Sequence, residues 1–290
     1  MTDRVDAHCH LWALKRGDYG WLDLDDPALA PIARDFEIGD LRAADTMGGC
    51  TARIVVQAAP TVAETEFLLG LANGYDDIAG VVGWVDLAQP DAAATLETLA
   101  QDVAFKGVRP MLQDIPDVNW ITTRPRTDAI EALINLNLTF DALVLPQHLA
   151  GLFEFAMAHP TLPIVIDHAA KPTVSADMSD PRCAMWRDGM ARLAAETNVC
   201  CKISGLLTEL SIDQRPNAAE VLQPVVDDLI AWFGPDRLMW GSDWPVVNLA
   251  GSLDEWTALS GGLLAGVSDI EQGRIFSGTA REFYQIGEIA

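Results

Sequence analysis

The first residues able to do chemistry are two histidines separated by one residue, His8 and His10, within Asp6-Ala7-His8-Cys9-His10-Leu11-Trp12. The stretch reads as a strand, and side chains two residues apart in a strand point to the same face. The two imidazoles should therefore converge on one point. Neutral imidazole binds borderline metal ions and carries protons near neutral pH, so the pair predicts a metal site or an acid–base site. Asp6 could orient one imidazole or serve only the fold, and we favour orientation because ligand histidines usually have such an acceptor.

Two later strands also end in ionisable side chains after an apolar run. Ile164-Val165-Ile166-Asp167-His168 ends in a histidine. Leu238-Met239-Trp240-Gly241-Ser242-Asp243-Trp244-Pro245 ends in Asp243, shortly before a proline that cannot continue a ladder. Three strands far apart in the sequence thus finish in His, His and Asp. These side chains can act together only in a fold that gathers strand ends on one face.

Short β-rich segments alternate with longer amphipathic segments along the chain. Eight strands with intervening helices indicate a (β/α)8 barrel, in which active sites lie at the carboxyl ends of the strands. An open doubly wound sheet would more often show a glycine-rich phosphate turn after the first strand, and the sequence has none there. We therefore expect an α/β fold, a single TIM-barrel domain spanning residues 1–290. The predicted strands cover residues 4–10, 52–58, 78–86, 105–111, 138–145, 162–168, 199–205 and 238–243; the predicted helices cover 63–75, 91–103, 128–137, 148–158, 183–197, 218–233 and 253–264.

Composition restricts the compartment and the partners. The chain has 290 residues, 50% of them hydrophobic, and a net charge of −23 at pH 7, which disfavours nucleic acid and anionic membrane surfaces as partners. Its five cysteines are odd in number and lack a C-x-x-C spacing, as expected of reduced thiols in the cytoplasm. No apolar run is long enough to span a membrane, and the amino terminus lacks a signal-peptide pattern. We expect a cytoplasmic protein, and the sequence leaves open whether it forms a homo-oligomer.

The motifs together resemble the amidohydrolase superfamily, and within it the amidohydrolase-related family and its sugar lactonase branch (L-fuconolactonase- and L-rhamnonolactonase-like enzymes). The resemblance is carried by D-x-H-x-H-x-W at residues 6–12, D-H-x-x-K-P at 167–172 and W-G-S-D-W-P at 240–245, and it extends along nearly the whole chain. It implies a hydrolase that opens a cyclic ester or amide with water activated at an aspartate. The catalytic positions implied by the resemblance are His8, His10, His168 and Asp243.

The resemblance also bears on a metal cofactor. Some members bind one divalent ion through these four residues, whereas others work without it, and we favour one Zn²⁺ or similar ion without requiring it for activity. Members with two metals bridge them through a lysine or glutamate at the end of the fourth strand. Here Lys106 lies near the start of that strand, so we expect at most one ion. His148 follows Pro146 and is interpreted as a helix-entry residue rather than a ligand.

Four further residues are predicted to contact a small-molecule lactone. Arg109 and Lys171 could bind or polarise substrate oxygens, and two aromatic side chains could stack on a sugar ring. Two long connections, 13–38 with Trp21 and 112–126 with Trp120, should shape the mouth of the barrel. The predicted substrate-binding residues are Arg109, Trp84, Trp120 and Lys171.

The number of arginines guides the choice of substrate. Binding a dicarboxylate lactone would require several arginines around the mouth of the barrel. This acidic chain has Arg109 at a strand end, and Arg124 and Arg126 in the fourth connection. We therefore favour a neutral sugar aldonolactone, such as L-fucono- or L-rhamnonolactone, and keep a pyrone or muconolactone-type dicarboxylate as the alternative. A lactone isomerase or a decarboxylase on the same barrel stays open. A binding protein without activity is disfavoured because an idle site has no chemical need for all four catalytic positions.

Overall fold

The computed structural model describes residues 3–174 and 180–287. Eight parallel strands pair in chain order, and a bridge between Cys9 and Trp244 links the end of the first strand to the segment after the last. The predicted (β/α)8 barrel is confirmed. The strands are β1 Arg4–Cys9, β2 Cys50–Val56, β3 Ile78–Gly83, β4 Phe105–Val108, β5 Thr139–Ala142, β6 Ile164–Ile166, β7 Cys200–Ile203 and β8 Leu238–Trp240.

Helices connect these strands and cover the outside of the barrel. All seven predicted helices are present, each with bounds within a few residues of those predicted. The α-helices in the described part of the chain are α1 Ile38–Ala44, α2 Val62–Ala72, α3 Ala92–Leu99, α4 Trp120–Thr123, α5 Thr127–Asn135, α6 Leu149–Ala158, α7 Pro181–Glu196, α8 Ala218–Phe233, α9 Leu253–Leu263, α10 Asp269–Gly273 and α11 Thr279–Phe283. None of these helices is long and apolar enough to cross a membrane.

The sequence analysis missed four short helices, α1, α4, α10 and α11. α1 and α4 have 7 and 4 residues, which is too short for a clear 3.6-residue periodicity. α10 and α11 have 5 residues each and are joined by a π-helix, Arg274–Gly278, so the 3.6-residue period is interrupted between them. One of them had a local signal: Ser268 and Glu271 form a capping box at the start of α10, and the S-x-x-E spacing of such a box is readable in sequence.

Each strand ends one to three residues earlier than predicted, and this places four of the predicted site residues in the turns that follow the strands. His10 and Arg109 come one residue after β1 and β4, His168 two residues after β6, and Asp243 three residues after β8. All four therefore lie at the carboxyl-end face of the barrel, where the βα connections meet.

The opposite end of the barrel is closed by the C-terminal segment. Ala280, Tyr284 and Ile286 pack in one buried cluster with barrel residues that include Val5 and Met239. A larger apolar cluster joins the outer faces of the strands to the surrounding helices. The barrel interior thus has a closed floor beneath the candidate site.

Candidate active site

Three imidazoles converge on one carboxylate oxygen at the carboxyl-end face. Nε2 of His8, His10 and His168 lies 3.9, 3.4 and 3.8 Å from Oδ1 of Asp243. The four side chains are no more than 5% exposed. The structure therefore brings together all four residues predicted to be catalytic. We call His8, His10, His168 and Asp243 the histidine cluster.

Backbone hydrogen bonds join the end of β1 to the segment after β8 and so fix this convergence. The amide of Asp243 donates to the carbonyl of His8 at 2.8 Å, and the amide of His10 donates to the carbonyl of Trp244 at 2.7 Å. Gly241 allows the approach, because a Cβ at this residue would lie 2.7 Å from Cβ of His8. The glycine of the W-G-S-D-W-P motif thus has a steric reason.

The prediction that Asp6 orients an imidazole is wrong. Its Oδ1 accepts hydrogen bonds from two backbone amides, those of Ser242 at 2.8 Å and His8 at 3.2 Å. The register between β1 and β2 shifts between Asp6 and Cys9, and the neighbours Val5 and Ala7 belong to the interior cluster. The simple alternation along the strand is therefore broken between Asp6 and His8, and Asp6 ties β1 to the β8 connection instead.

The turn that carries His168 has an unusual backbone. His168, Ala169, Ala170 and Lys171 all have φ between 50° and 57°, and Asp243 has φ 55°. Left-handed conformations of non-glycine residues cost of order 1–3 kcal/mol each and persist where the surroundings impose them, often at functional sites. Here the indole of Trp186 donates to the carbonyl of Ala169 at 2.7 Å. Gly205 leaves room for the His168 ring, since a Cβ there would lie 2.6 Å from Nδ1.

Burial and mutual contact set the ionisation of the cluster. Burial lowers the pKa of His8 well below its usual value and that of His168 to about 4, so both are neutral imidazoles near neutral pH. Burial alone would raise the pKa of Asp243, but the three imidazoles around its carboxylate, His168 foremost, hold it well below the usual range. The cluster therefore offers one carboxylate and neutral nitrogen donors.

The hydrogen bonds of the outer ring nitrogens show that this donor set fits a metal ion. Nδ1 of His10 lies 2.8 Å from the carbonyl of Val56, which can only accept, so the lone pair is on Nε2. Nδ1 of His168 lies 2.9 Å from the Ser204 hydroxyl, and Nδ1 of His8 lies 3.3 Å from Oδ1 of Asp167. Ligand histidines typically have such partners. Three of the four residues, His8, His10 and Asp243, offer ligand atoms that all lie within 4.8 Å of one another, a set that fits one ion. His168 joins them through its 3.8 Å approach to Asp243.

A second trio, His8, Asp167 and His168, also has donor atoms within 4.8 Å of one another. It shares His8 with the trio of His8, His10 and Asp243, and its carboxylate already faces the ammonium of Lys202 at 3.0 Å. Lys106 lies away from the cluster, next to Gly80 in the lower half of the barrel. His148 occupies the turn that enters α6, where its Nδ1 accepts from the amide of Leu145, as the helix-entry interpretation predicts. The arrangement fits one ion rather than two.

A cavity of about 320 Å³ opens above the cluster. Among the predicted residues, Arg109 and Lys171 line it together with His10, His168 and Asp243. Trp84 and Trp120 are not among the described residues that line it: the backbone of Trp84 is bonded to Thr65, and Trp120 begins α4.

The sequence analysis placed Trp21 at the mouth without giving it a role, and the structure puts its side chain in the cavity wall. The indole donates to the carbonyl of Ala58 at 2.7 Å and packs edge-on against Trp12, with ring centroids 5.7 Å apart. The cavity lining also includes residues that the sequence analysis did not identify as contacts, among them Met111, Gln113, Asp114 and Leu143.

Arg109 lies between the cavity and His8. Its guanidinium donates to the carbonyl of Gln57, and the Gln57 amide donates to the carbonyl of Arg109 at 2.7 Å. The guanidinium nitrogen Nη1 of Arg109 lies 3.4 Å from Nε2 of His8 and 3.7 Å from Oδ2 of Asp167. The arginine is thus a fixed positive charge at the edge of the histidine cluster.

Beneath His8 lies a group of buried ionisable side chains that the sequence analysis did not find. Nζ of Lys202 lies 2.6 Å from Oδ2 of Asp141 and 3.0 Å from Oδ1 of Asp167, and all three side chains are fully buried. The hydroxyl of Tyr284 donates to Asp141 at 2.7 Å. Although burial opposes the charge, the two carboxylates raise the pKa of Lys202. We call Asp141, Asp167, Lys202 and Tyr284 the floor network.

Sequence comparison identifies the family. The Amidohydrolase family profile matches residues 5–286. The chain belongs to the amidohydrolase family. The predicted resemblance is confirmed over nearly the whole chain.

Relatives within the amidohydrolase family carry specific names. A protein of Burkholderia ambifaria named L-fucono-1,5-lactonase is 42% identical over 294 residues, covering 99% of this chain and 97% of that protein. A solved structure of an amidohydrolase from Burkholderia multivorans with bound zinc is 33% identical, with a TM-score of 0.85, covering 98% of this chain and 99% of that one. A protein of Comamonas testosteroni named 2-pyrone-4,6-dicarboxylate hydrolase is 30% identical over 115 residues, covering 38% of this chain and 35% of that protein.

Two of the three arginines considered for a dicarboxylate, Arg124 and Arg126, are not among the described residues that line the cavity of this amidohydrolase site. Arg124 faces Asp117 at 3.7 Å, and Arg126 pairs with Asp128 at 2.9 Å. Arg109 is the one arginine among the described residues that line the cavity.

Proposed function

We propose that this chain hydrolyses a neutral sugar aldonolactone, of the L-fucono-1,5-lactone kind, by attack of water that Asp243 deprotonates. The observation that carries the proposal is the convergence of three imidazole Nε2 atoms on Oδ1 of Asp243 at the base of the cavity. The name of the Burkholderia ambifaria relative supports the substrate class.

The charges in the cavity wall favour a neutral substrate. A dicarboxylate would need more than one guanidinium clamp, and Arg109 already donates to the Gln57 carbonyl. The wall also contains acidic Asp114 and the indole of Trp21, which suit sugar hydroxyls and the apolar face of a sugar ring respectively. All five cysteines are free thiols, which supports a cytoplasmic location.

Asp243 is placed to act as the base and then as the acid. Its buried carboxylate stays ionised, since its pKa is held low, so it can accept a proton from water in the cavity. The water oxygen forms a bond to the lactone carbonyl carbon, and the ring carbon–oxygen bond then breaks. Asp243 returns its proton to the departing ring oxygen, which leaves a hydroxy acid as product. A positioned acid–base of this kind contributes ~10²–10⁴ in rate.

The developing oxyanion needs positive partners. Arg109 and Lys171 both line the cavity and supply fixed positive charge at its base and side. We assign one Zn²⁺ to the histidine cluster as part of the proposal. When bound, such an ion supplies Lewis-acid polarisation of the carbonyl.

The test is a pH-indicator assay across sugar lactones and pyrone or muconolactone dicarboxylates, each run with and without a chelator. We expect turnover of neutral aldonolactones. Exclusive turnover of the dicarboxylates would overturn the substrate assignment, and unchanged rates after verified metal removal would show that the ion is dispensable.

Product analysis by NMR separates the other reactions open to this barrel. A ring-opened hydroxy acid is the expected product; a rearranged lactone would indicate an isomerase, and release of carbon dioxide a decarboxylase. Thermal stabilisation by lactones without any turnover would indicate a binding protein and refute the proposed hydrolysis.

A further inference from the structure

The two ring nitrogens of His8 both face hydrogen-bond donors. Nζ of Lys202 lies 3.1 Å from Nδ1 of His8, and Nη1 of Arg109 lies 3.4 Å from Nε2 of His8. A neutral imidazole carries one proton and one lone pair, so it can accept from only one of these two cations. The residues around His8 therefore decide which of its two ring nitrogens carries the proton.

The acceptors around His8 differ between its two sides. Oδ1 of Asp167 lies 3.3 Å from Nδ1, whereas on the other side Oδ1 of Asp243 is 3.9 Å from Nε2, beyond hydrogen-bond reach. A proton on Nδ1 thus has a carboxylate beside it, and both oxygens of that carboxylate are buried without a hydrogen-bond partner in the described part of the chain. A proton on Nε2 would instead face the Arg109 guanidinium.

Lys202 loses little when His8 does not accept from it. Its ammonium already has Asp141 at 2.6 Å and the same Asp167 oxygen at 3.0 Å. With the proton on Nδ1, Arg109 keeps the Nε2 lone pair as an acceptor, and Asp167 bridges Lys202 and His8. Counting satisfied donors favours this tautomer.

We propose that Asp167 is a positioning residue that holds the proton of His8 on Nδ1, so that the Nε2 lone pair lies on the side of Arg109 and Asp243. Lys202 and Asp141 anchor Asp167 from below. The inference deepens the proposed function and rests on it for one point, the binding of zinc by the histidine cluster. Removing such a partner typically costs roughly 10–100-fold in metal affinity.

Retention of the floor network fits this role. A buried ion pair is often no more stabilising than well-packed apolar side chains of similar volume. Asp141, Asp167 and Lys202 are fully buried and line no part of the cavity above the cluster. Asp167 and Lys202 both reach the histidine cluster at Nδ1 of His8, and Asp167 also precedes His168 in the chain. The effect of the floor network on the proton of His8 is therefore read at that nitrogen.

The direct test is ¹⁵N NMR of the histidine side chains in metal-free protein. The chain has five histidines, so the His8 signal can be assigned by its loss in a His8→Ala variant. We expect a protonated Nδ1 and an unprotonated Nε2. In Asp167→Ala the acceptor is gone while Lys202 keeps Asp141, and we expect the proton to move to Nε2 and zinc affinity, measured by chelator competition, to fall roughly 10–100-fold.

Two matched variants separate this role from a general loss of stability. Tyr284→Phe removes a buried donor of the floor network that does not touch His8, and it should leave the tautomer and zinc affinity unchanged. The double variant Asp141→Asn/Lys202→Met removes one charge of each sign and the competing donor, and it should keep the proton on Nδ1.

The proposal is overturned if Asp167→Ala retains a protonated Nδ1 and wild-type zinc affinity. If Asp167→Ala does not fold, the double variant decides alone: a proton on Nε2 there would show that Asp167 does not hold the proton on Nδ1, and would overturn the proposal. Absence of lactonase activity would refute the proposed function but leave the NMR result in metal-free protein intact.

Discussion

Glu64 provides a sharp test of the electrostatics next to the site. Its side chain is fully buried and accepts from the backbone amides of Ala58 at 3.1 Å and Ala59 at 2.8 Å. Ala58 lines the cavity, and its carbonyl holds the indole of Trp21. Burial raises the pKa of Glu64 to about 7, against the opposing effect of those two amides.

The sign of the effect on stability follows from which state binds the proton more tightly. The folded chain holds the Glu64 proton up to about pH 7, whereas the unfolded chain releases it near its ordinary value of 4.5. The stabilising contribution is therefore complete below pH 4.5 and is lost as the pH rises through about 7. At about 1.4 kcal/mol per pKa unit, the loss is about 3 kcal/mol.

The perturbation is Glu64→Gln, which keeps a carbonyl acceptor but cannot ionise. Its free energy of unfolding relative to that of wild type should rise by about 3 kcal/mol between pH 4.5 and pH 8, because only the wild type loses that stability. The lost second acceptor adds a constant offset. Urea unfolding at a series of pH values measures this difference, and Glu66→Gln, at an exposed position of the same helix, is the matched control. Parallel curves for wild type and Glu64→Gln would refute the reasoning.

Three further predictions concern the site itself. Asp243→Asn should lower kcat by ~10²–10⁴ with an unchanged circular dichroism spectrum, and near-normal turnover would exclude Asp243 as the base. His8→Ala/His10→Ala should lose bound zinc without unfolding the barrel; elemental analysis checks this, and two equivalents of metal in wild type would contradict a mononuclear site. Trp21→Ala should raise KM for an aldonolactone roughly tenfold with little change in kcat, because a wall contact binds ground state and transition state alike; a fall in kcat at unchanged KM would contradict the wall assignment.

Much of the architecture could be predicted from sequence because it depends on local patterns. Apolar strands alternating with amphipathic helices indicated the barrel, and ionisable residues at strand ends indicated which side chains meet. His168 and Asp243 illustrate the limit. Their positions were predictable, but the left-handed backbone that aims them is imposed by tertiary contacts such as the Trp186 bond to Ala169 and leaves no local signal.

Only part of the floor network could be predicted from the sequence. A lysine at an inward position of β7 needs a partner, since an unpaired buried ammonium is costly, but the chain contains 42 acidic residues, and sequence alone does not select Asp141 and Asp167 from among them. Tyr284 joins them from 143 positions away from Asp141. Trp84 and Trp120 show a related limit. Their residue type indicates that they could stack on a sugar, but the direction of a loop side chain depends on packing, which the sequence does not show.

The balance of charges in the floor network separates two parts of the molecule that can evolve at different rates. A single change at Lys202 leaves two carboxylates buried without their shared cation, and a single change at Asp141 leaves Lys202 with Asp167 alone. Such changes are costly one at a time, so selection must cross an intermediate of low fitness. Wall residues such as Trp21 and Met111 have no such dependence. Laboratory evolution toward new lactones should therefore accumulate its first substitutions around the mouth while the chemistry beneath stays fixed.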